Sequence, residues 1–287
     1  VTQLFGRAAR VTVWEPQPAT FFSDPTATNA LVIEKLRIEF EVVRSTDKEP
    51  DTCELKITNA ADDTRARLHK KPLRVRLEAG YGTDLSTLFV GDLIHGASKL
   101  DGTDWVTTVQ VGDGLRAFRQ ARVAQSFREG TTAYAALKSV ADAMQFSLPV
   151  ALLDDSDLKS QFAAGITLHG QASTQLTRLL EPFGFRWCVQ NGRLVVLRDS
   201  ESTTGTAIVV DKTSGLIGSP ETGAPTKEQK IPITTIKTLL NDQILPGKVI
   251  QLTSREHKAA LFKVVKTTIT GDTFGGDFIN TTEAKPR

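Results

Sequence analysis

The chain has 287 residues, enough for two or three domains, and its 40% apolar and 24% charged content is that of a globular protein. Its 35 basic and 33 acidic residues leave a net charge of +2, too weak a field to argue for a nucleic-acid or membrane partner. No run approaches the roughly 18–20 apolar residues of a membrane span, and residues 1–14 show no secretion leader, so a soluble protein made in the cytoplasm is expected. The first third reads as β-structure. Val11 and Val13 mark one strand, and Ile33, Leu36, Ile38, Phe40 and Val42 carry the apolar side of an alternating run filled by Glu34, Arg37, Glu39 and Glu41. Residues 15–29 hold three prolines among Ser, Thr and Asp and read as a loop or extended arm. Strands follow at 53–57, 73–77, 88–94 and 105–111. A turn is expected at Tyr81-Gly82-Thr83-Asp84 and a hairpin at Asp101-Gly102.

The middle third changes period. Thr131 and Thr132 can cap a helix near 131–146, whose Ala133, Ala136, Leu137, Val140, Ala141 and Met144 share one face. A second helix is expected over 174–183, capped by Ser173 and ended by Pro182 and Gly184. Asn191-Gly192 between the runs 185–190 and 193–197 is the strongest short hairpin signal in the chain, which sets a hairpin at 185–198. Strands return at 207–210, 235–240, 248–252 and 262–270, with a last one at Phe278-Ile279. Residues 219–231 read as a mobile loop. The expected fold is mainly β with an α+β insertion: a β-barrel domain at 1–115, a small helix-containing domain at 116–200 and a second β-barrel domain at 201–287. No short internal repeat is visible.

Candidate chemistry is sparse. His69, His95, His169 and His257 lack metal-ligand spacing, and Cys53 and Cys188 form no framework and read as buried thiols. Asp154, Asp155 and Asp157 lack the glycine and distal glutamate of a calcium loop and read as a solvated acidic turn. Gly112-Asp113-Gly114 opens no phosphate loop, and no Gly-x-Ser-x-Gly elbow is present. Arg116, Arg119, Arg122 and Arg128, with Phe118 and Phe127 between them, admit single-strand binding, a solvated strand or linker, or pairing with acidic groups of another subunit. The solvated reading is favoured. No catalytic, cofactor-binding or metal-binding residue is assigned, and the chain is expected not to be an enzyme.

The succession Phe89-Val90-Gly91 with Ile94, Asp104-Trp105-Val106-Thr107, Val111-Gly112-Asp113-Gly114, Gly130-Thr131-Thr132, Leu176 through Gly184-Phe185-Arg186-Trp187 and Asn191-Gly192-Arg193-Leu194 resembles the baseplate hub proteins of long-tailed phages. That group includes the phage Mu hub and the late-control protein D relatives. Pro246-Gly247-Lys248-Val249-Ile250, Phe262-Lys263-Val264 and Gly271-Asp272 extend the resemblance, which spans about residues 31–277. The chain is short for such hubs. The resemblance implies two tail-tube-like barrels and a homotrimeric ring in which six barrels match a sixfold tube. The tail tube or a distal tail protein would lie above, a central spike protein below, and a tape measure protein is a further candidate partner. DNA would pass only in transit, without membrane insertion, in a virion baseplate assembled in the host cytoplasm. Segments 15–29 and 219–231 are expected to order on assembly. A tail-associated cell-wall hydrolase and a nucleic-acid-binding module are the competing readings.

Overall fold

The computed structural model describes residues 6–17, 20–26, 29–46, 50–70, 72–198, 201–203, 205–224 and 231–287. The N-terminal elements are β1 (Arg7–Trp14), β2 (Leu31–Glu34), β3 (Ile38–Ser45), β4 (Thr52–Thr58), α1 (Asp62–Leu68), β5 (Arg74–Tyr81), β6 (Asp84–Asp101) and β7 (Asp104–Gly112). The middle holds α2 (Leu115–Gln120), β8 (Arg122–Phe127), α3 (Ala133–Ala143), β9 (Ile166–Gln171), α4 (Ala172–Leu180), β10 (Phe185–Gln190) and β11 (Arg193–Arg198). The last third gives β12 (Ile208–Val210), β13 (Leu216–Thr222), β14 (Thr234–Leu239), β15 (Val249–Leu252), β16 (Ala260–Asp272) and β17 (Phe278–Pro286). Among the described residues no helix is long and apolar enough to cross a membrane.

Alternation does what the sequence pattern requires in β3 and β4, where every second residue is buried. The run expected to be continuous from Ile33 to Val42 is broken at Lys35, whose positive φ of 63° separates β2 from β3. Helix α3 begins where Thr132 accepts a hydrogen bond from the Ala135 N–H at 3.2 Å. Ser173 does not cap α4. The helix starts at Ala172 directly after β9, and the Ser173 hydroxyl donates to the Phe118 carbonyl at 3.1 Å. Gly184, at φ 72°, ends that segment. Part of the loop expected at 219–231 is strand β13, and 225–230 lie outside the described residues.

Eleven strands run in one path, β13-β14-β17-β16-β3-β4-β7-β6-β5-β1-β2, with β12 joined to β15 and β15 to β16. The path does not close among the described residues: the sheet is open between β2 and β3 and between β12 and β13, so the expected closed barrels are not formed by hydrogen bonding. Within it the same succession occurs twice, β3-β4-β7-β6-β5 and β13-β14-β17-β16-β15. Strands β6 and β16 hold corresponding places. Each bends over a register shift in its hairpin, between Leu93 and His95 in β6 and between Val264 and Lys266 in β16. Strand β6 pairs with β5 up to Asp92 and with β7 beyond it, and at the corner a Cβ on Gly91 would lie 2.6 Å from the Gly112 carbonyl oxygen.

Three apolar clusters are buried. The first combines β1 to β7 with Ile269 and Phe278 from the last third, the second fills the α+β middle, and the third lies among β12 and β14 to β17. Phe278 is the key of this exchange, its ring 5.8 Å from Phe40 and 5.3 Å from Tyr81, both edge-on. Phe278→Ala is expected to cost about 3–5 kcal/mol. Urea unfolding measures it, and a loss below about 1 kcal/mol would show that the first cluster closes without the last hairpin.

Candidate functional site: a buried polar seam

The three clusters meet at a seam of buried polar side chains. Arg44, at the end of β3, is only 2% exposed. Its guanidinium donates to the Leu88 carbonyl and, at 2.8 Å, to the Asn191 side-chain oxygen. Asp51, just before β4, accepts from the Ser45 N–H at 3.0 Å, and its carbonyl accepts from the Asp113 N–H at 2.9 Å. Asp113 follows β7 and is 1% exposed. Its carboxylate accepts the Gly192 N–H at 3.0 and 3.3 Å.

The local sequence explains the fit. Asn191 and Gly192 have φ of 51° and 73°, the left-handed pair of a two-residue hairpin turn, so the turn can present its N–H to Asp113. Beside it Gln190 donates to the Pro246 carbonyl at 3.1 Å. The tip of one hairpin therefore touches the N-terminal sheet and the C-terminal strands at once.

A second layer lies alongside. Asp92 accepts the Arg116 N–H at 2.9 Å and stands 3.8 Å from Arg74, both side chains nearly excluded from water. Arg74 lies against the rings of Trp14 and Phe22 at 5.8 and 5.3 Å and donates to the Phe21 carbonyl. Phe22 stacks on Phe146 at 4.9 Å, and the Phe21 N–H donates to Gln145 at 2.6 Å. The segment expected to order on assembly is thus already docked on its own chain over residues 20–26, where Phe21 and Phe22 pack, partly buried, on the middle cluster.

Burial sets the electrostatics. Desolvation pushes the Asp51 carboxyl up to about 8 and the Asp113 carboxyl up to about 7, against the opposing pull of their N–H donors and of Arg44. Desolvation also raises Asp92 and lowers Arg44 and Arg74. Most of the seam's contacts join segments far apart in the chain, while Arg44 Nε, Asp51 Oδ2, Arg74 Nε and Asp92 Oδ1 are buried without a hydrogen bond among the described residues. The hydrogen bonds of Arg44 and Asp113 tie the ends of β3 and β7 to the Asn191-Gly192 turn, the arrangement of a clamp.

The other candidates are dispersed. His69 bonds the Ser98 hydroxyl at 2.9 Å, and His257 packs edge-on against Phe262 at 5.2 Å. His95 is exposed on β6, His169 is exposed on β9, and no group of metal-binding side chains forms among the described residues. Cys53 and Cys188 are both buried thiols, and Cys188 accepts a hydrogen bond from Gln190 at 3.5 Å. The acidic turn is closed by an arginine the sequence did not pair with it: Arg198 reaches Asp155 at 2.7 Å, Asp157 at 2.6 Å and Glu201 at 3.2 Å, and holds the Asp155 carboxyl below its usual range. Arg119, Arg122 and Arg128 are exposed, and Arg116 donates to the Thr20 carbonyl at 3.5 Å. Phe118 lies 5.8 Å from Trp187, and both Phe118 and Phe127 pack on the middle cluster.

Asp113 is what sequence reasoning missed. Its flanking glycines were visible, but the partner turn lies 79 residues away.

No family model matches the chain, and no curated protein matches it. Solved structures do. A 43 kDa tail protein of prophage MuSo2 from Shewanella oneidensis is similar at a TM-score of 0.64 and 10% identity, covering 96% of this chain and 98% of that one. A tail protein from Neisseria meningitidis gives 0.63 at 12% identity, covering 98% and 97%. An E. coli component of the type VI secretion system, described as similar to the T4 bacteriophage tail proteins gp27 and gp5, gives 0.60 at 14% identity, covering 88% and 73%. Over nearly its whole length, the chain has the fold of phage tail proteins.

Proposed function

We propose that the chain is a structural baseplate hub of a phage or phage-derived tail. Three copies form a ring around the channel through which DNA leaves, between a sixfold tube or distal tail protein and a threefold spike. The observation that carries this reading is the doubled strand succession in a chain that matches tail proteins end to end. Two tube-like units per chain give six units in three chains, which is what a sixfold partner needs on one side and a threefold partner on the other. The role is geometric. It assigns no catalytic residue, and the clamp at Asp113 serves it by fixing the two units and the insertion in one orientation.

Native mass spectrometry over a range of concentrations, alone and with the spike protein of the same tail, tests the reading. A trimer is expected. A chain that stays monomeric in both conditions overturns it.

A further inference from the structure

The doubled strand succession leaves one junction built and a second one open. In the built junction the outer edge of β3 pairs antiparallel with β16, from Lys266 opposite Ser45 to Asp272 opposite Glu39. The counterpart of β3 is β13, which among the described residues pairs with β14 alone. The counterpart of β16 is β6, whose stretch beyond Asp92 pairs with β7 on one side and with no strand on the other among the described residues. Each chain therefore carries the two halves of a second junction, separately. Six strands lie between β6 and β13 in the sheet path, roughly 30 Å along the sheet at strand spacing, and the two halves are not paired within one chain among the described residues.

We infer that β13 of one copy adds to the free edge of β6 in the next copy, repeating between chains the pairing that β3 and β16 make within one. The inference rests on the ring proposed above and names its contact. Correspondence of the two register shifts fixes the partners. Lys99 stands at the place of Thr270, since each lies the same distance beyond its shift. Glu221 stands at the place of Glu41: Glu41 faces Glu54, which faces Gln110, and Glu221 faces Thr235, which faces Glu283, the counterpart of Gln110. In the built junction Thr270 faces Glu41. In the open one Lys99 faces Glu221, an opposite-charge cross-strand pair in which both residues are exposed on the single chain.

Apolar exposure marks the same edge. Trp105 occupies the place of Phe278, yet it is 39% exposed where Phe278 is 2% exposed, and its cross-strand neighbour Leu100 is 57% exposed. Phe278 is covered by Phe40 of β3. The β13 segment corresponding to Phe40 is the irregular stretch carrying Pro220. A proline and a register break are devices that keep an edge strand from pairing indiscriminately, which suits an edge with one intended partner.

The test is a cysteine pair. Directly opposed residues of antiparallel strands have Cα atoms about 4.5–5.5 Å apart, within disulfide reach. The double variant Lys99→Cys, Glu221→Cys is oxidised and its mass read under denaturing conditions. Covalently linked dimers and trimers are expected. In parallel, Lys99→Glu is expected to lower the trimer fraction at least tenfold at a fixed concentration, and Lys99→Glu with Glu221→Lys to restore it. Trimers that form natively without this cross-link, or that ignore both charge changes, overturn the β6–β13 contact and leave the ring reading standing. Absence of any trimer, with or without the spike protein, overturns both.

Discussion

Replacement of Arg44 by alanine is expected to lower stability by about 3–5 kcal/mol, the loss seen when one partner of a buried charge cluster is removed. The guanidinium supplies the donors to the Leu88 carbonyl and the Asn191 side chain. It is also a positive charge set among Asp51 and Asp113. Alanine would leave both acceptors short of a donor and, at a pH above about 8 where the carboxyls ionise, both carboxylates without a facing cation in a site closed to water. Urea unfolding followed by circular dichroism gives the value. A change under about 1 kcal/mol would show that the seam is not a clamp. The triple variant Arg44→Met, Asp51→Asn, Asp113→Asn separates charge imbalance from lost packing. It is expected to recover much of the loss, because a buried ionic group can be replaced as a whole at little cost.

Acidification is expected to stabilise the protein between about pH 8 and pH 5, the reverse of ordinary acid sensitivity. Asp51 and Asp113 have folded-state values near 8 and 7, far above the unfolded value of 3.8. A carboxyl raised on folding contributes stability that is complete below its unfolded value and is lost as pH climbs through its folded value. The carboxyls held low, Asp155, Asp211 and Asp272, act in the opposite sense, but their contribution fades only as pH falls toward and below 3.8. Urea midpoints at pH 8, 6.5 and 5 should therefore rise in that order, and Asp113→Asn should flatten the slope by removing one titration. A midpoint that falls steadily across this window would contradict the proton uptake assigned to the seam.

The sequence made the local units legible. The Asn191-Gly192 turn, the cap at Thr132 and the alternation in β3 and β4 depend on residues close together in the chain, so their physics is written locally. Ser173 misled because a serine next to an apolar period reads as a cap, while here β9 runs straight into α4, and the hydroxyl lies inside the helix and donates to the Phe118 carbonyl instead of accepting from a first-turn N–H. Helix α1 was not foreseen, since seven residues between strands carry too little periodicity. The strand succession, the open edges and the seam depend on partners far apart. The duplication is written in pairing order and in the position of a bulge, while the sequence shows no short internal repeat, only two β-rich thirds flanking a helical middle. Asp113 drew notice only as part of a glycine pair that opens no phosphate loop, because the N–H it accepts belongs to a turn 79 residues away.

The place of β16 next to β3 also sets the order in which the molecule can be finished during synthesis. At about 5–20 residues per second, some ten to several tens of seconds separate the emergence of β3 from that of β16. Throughout that interval β3 pairs with β4 on one side and offers a bare hydrogen-bonding edge on the other. The gap left for Ile269 and Phe278 in the first apolar cluster stays open just as long. A ribosome-bound chain of this protein is thus a partial sheet with a long-lived sticky border, and crowded polysomes present several such borders side by side. Its yield in cells should depend on how well that border is shielded until the final hairpin arrives.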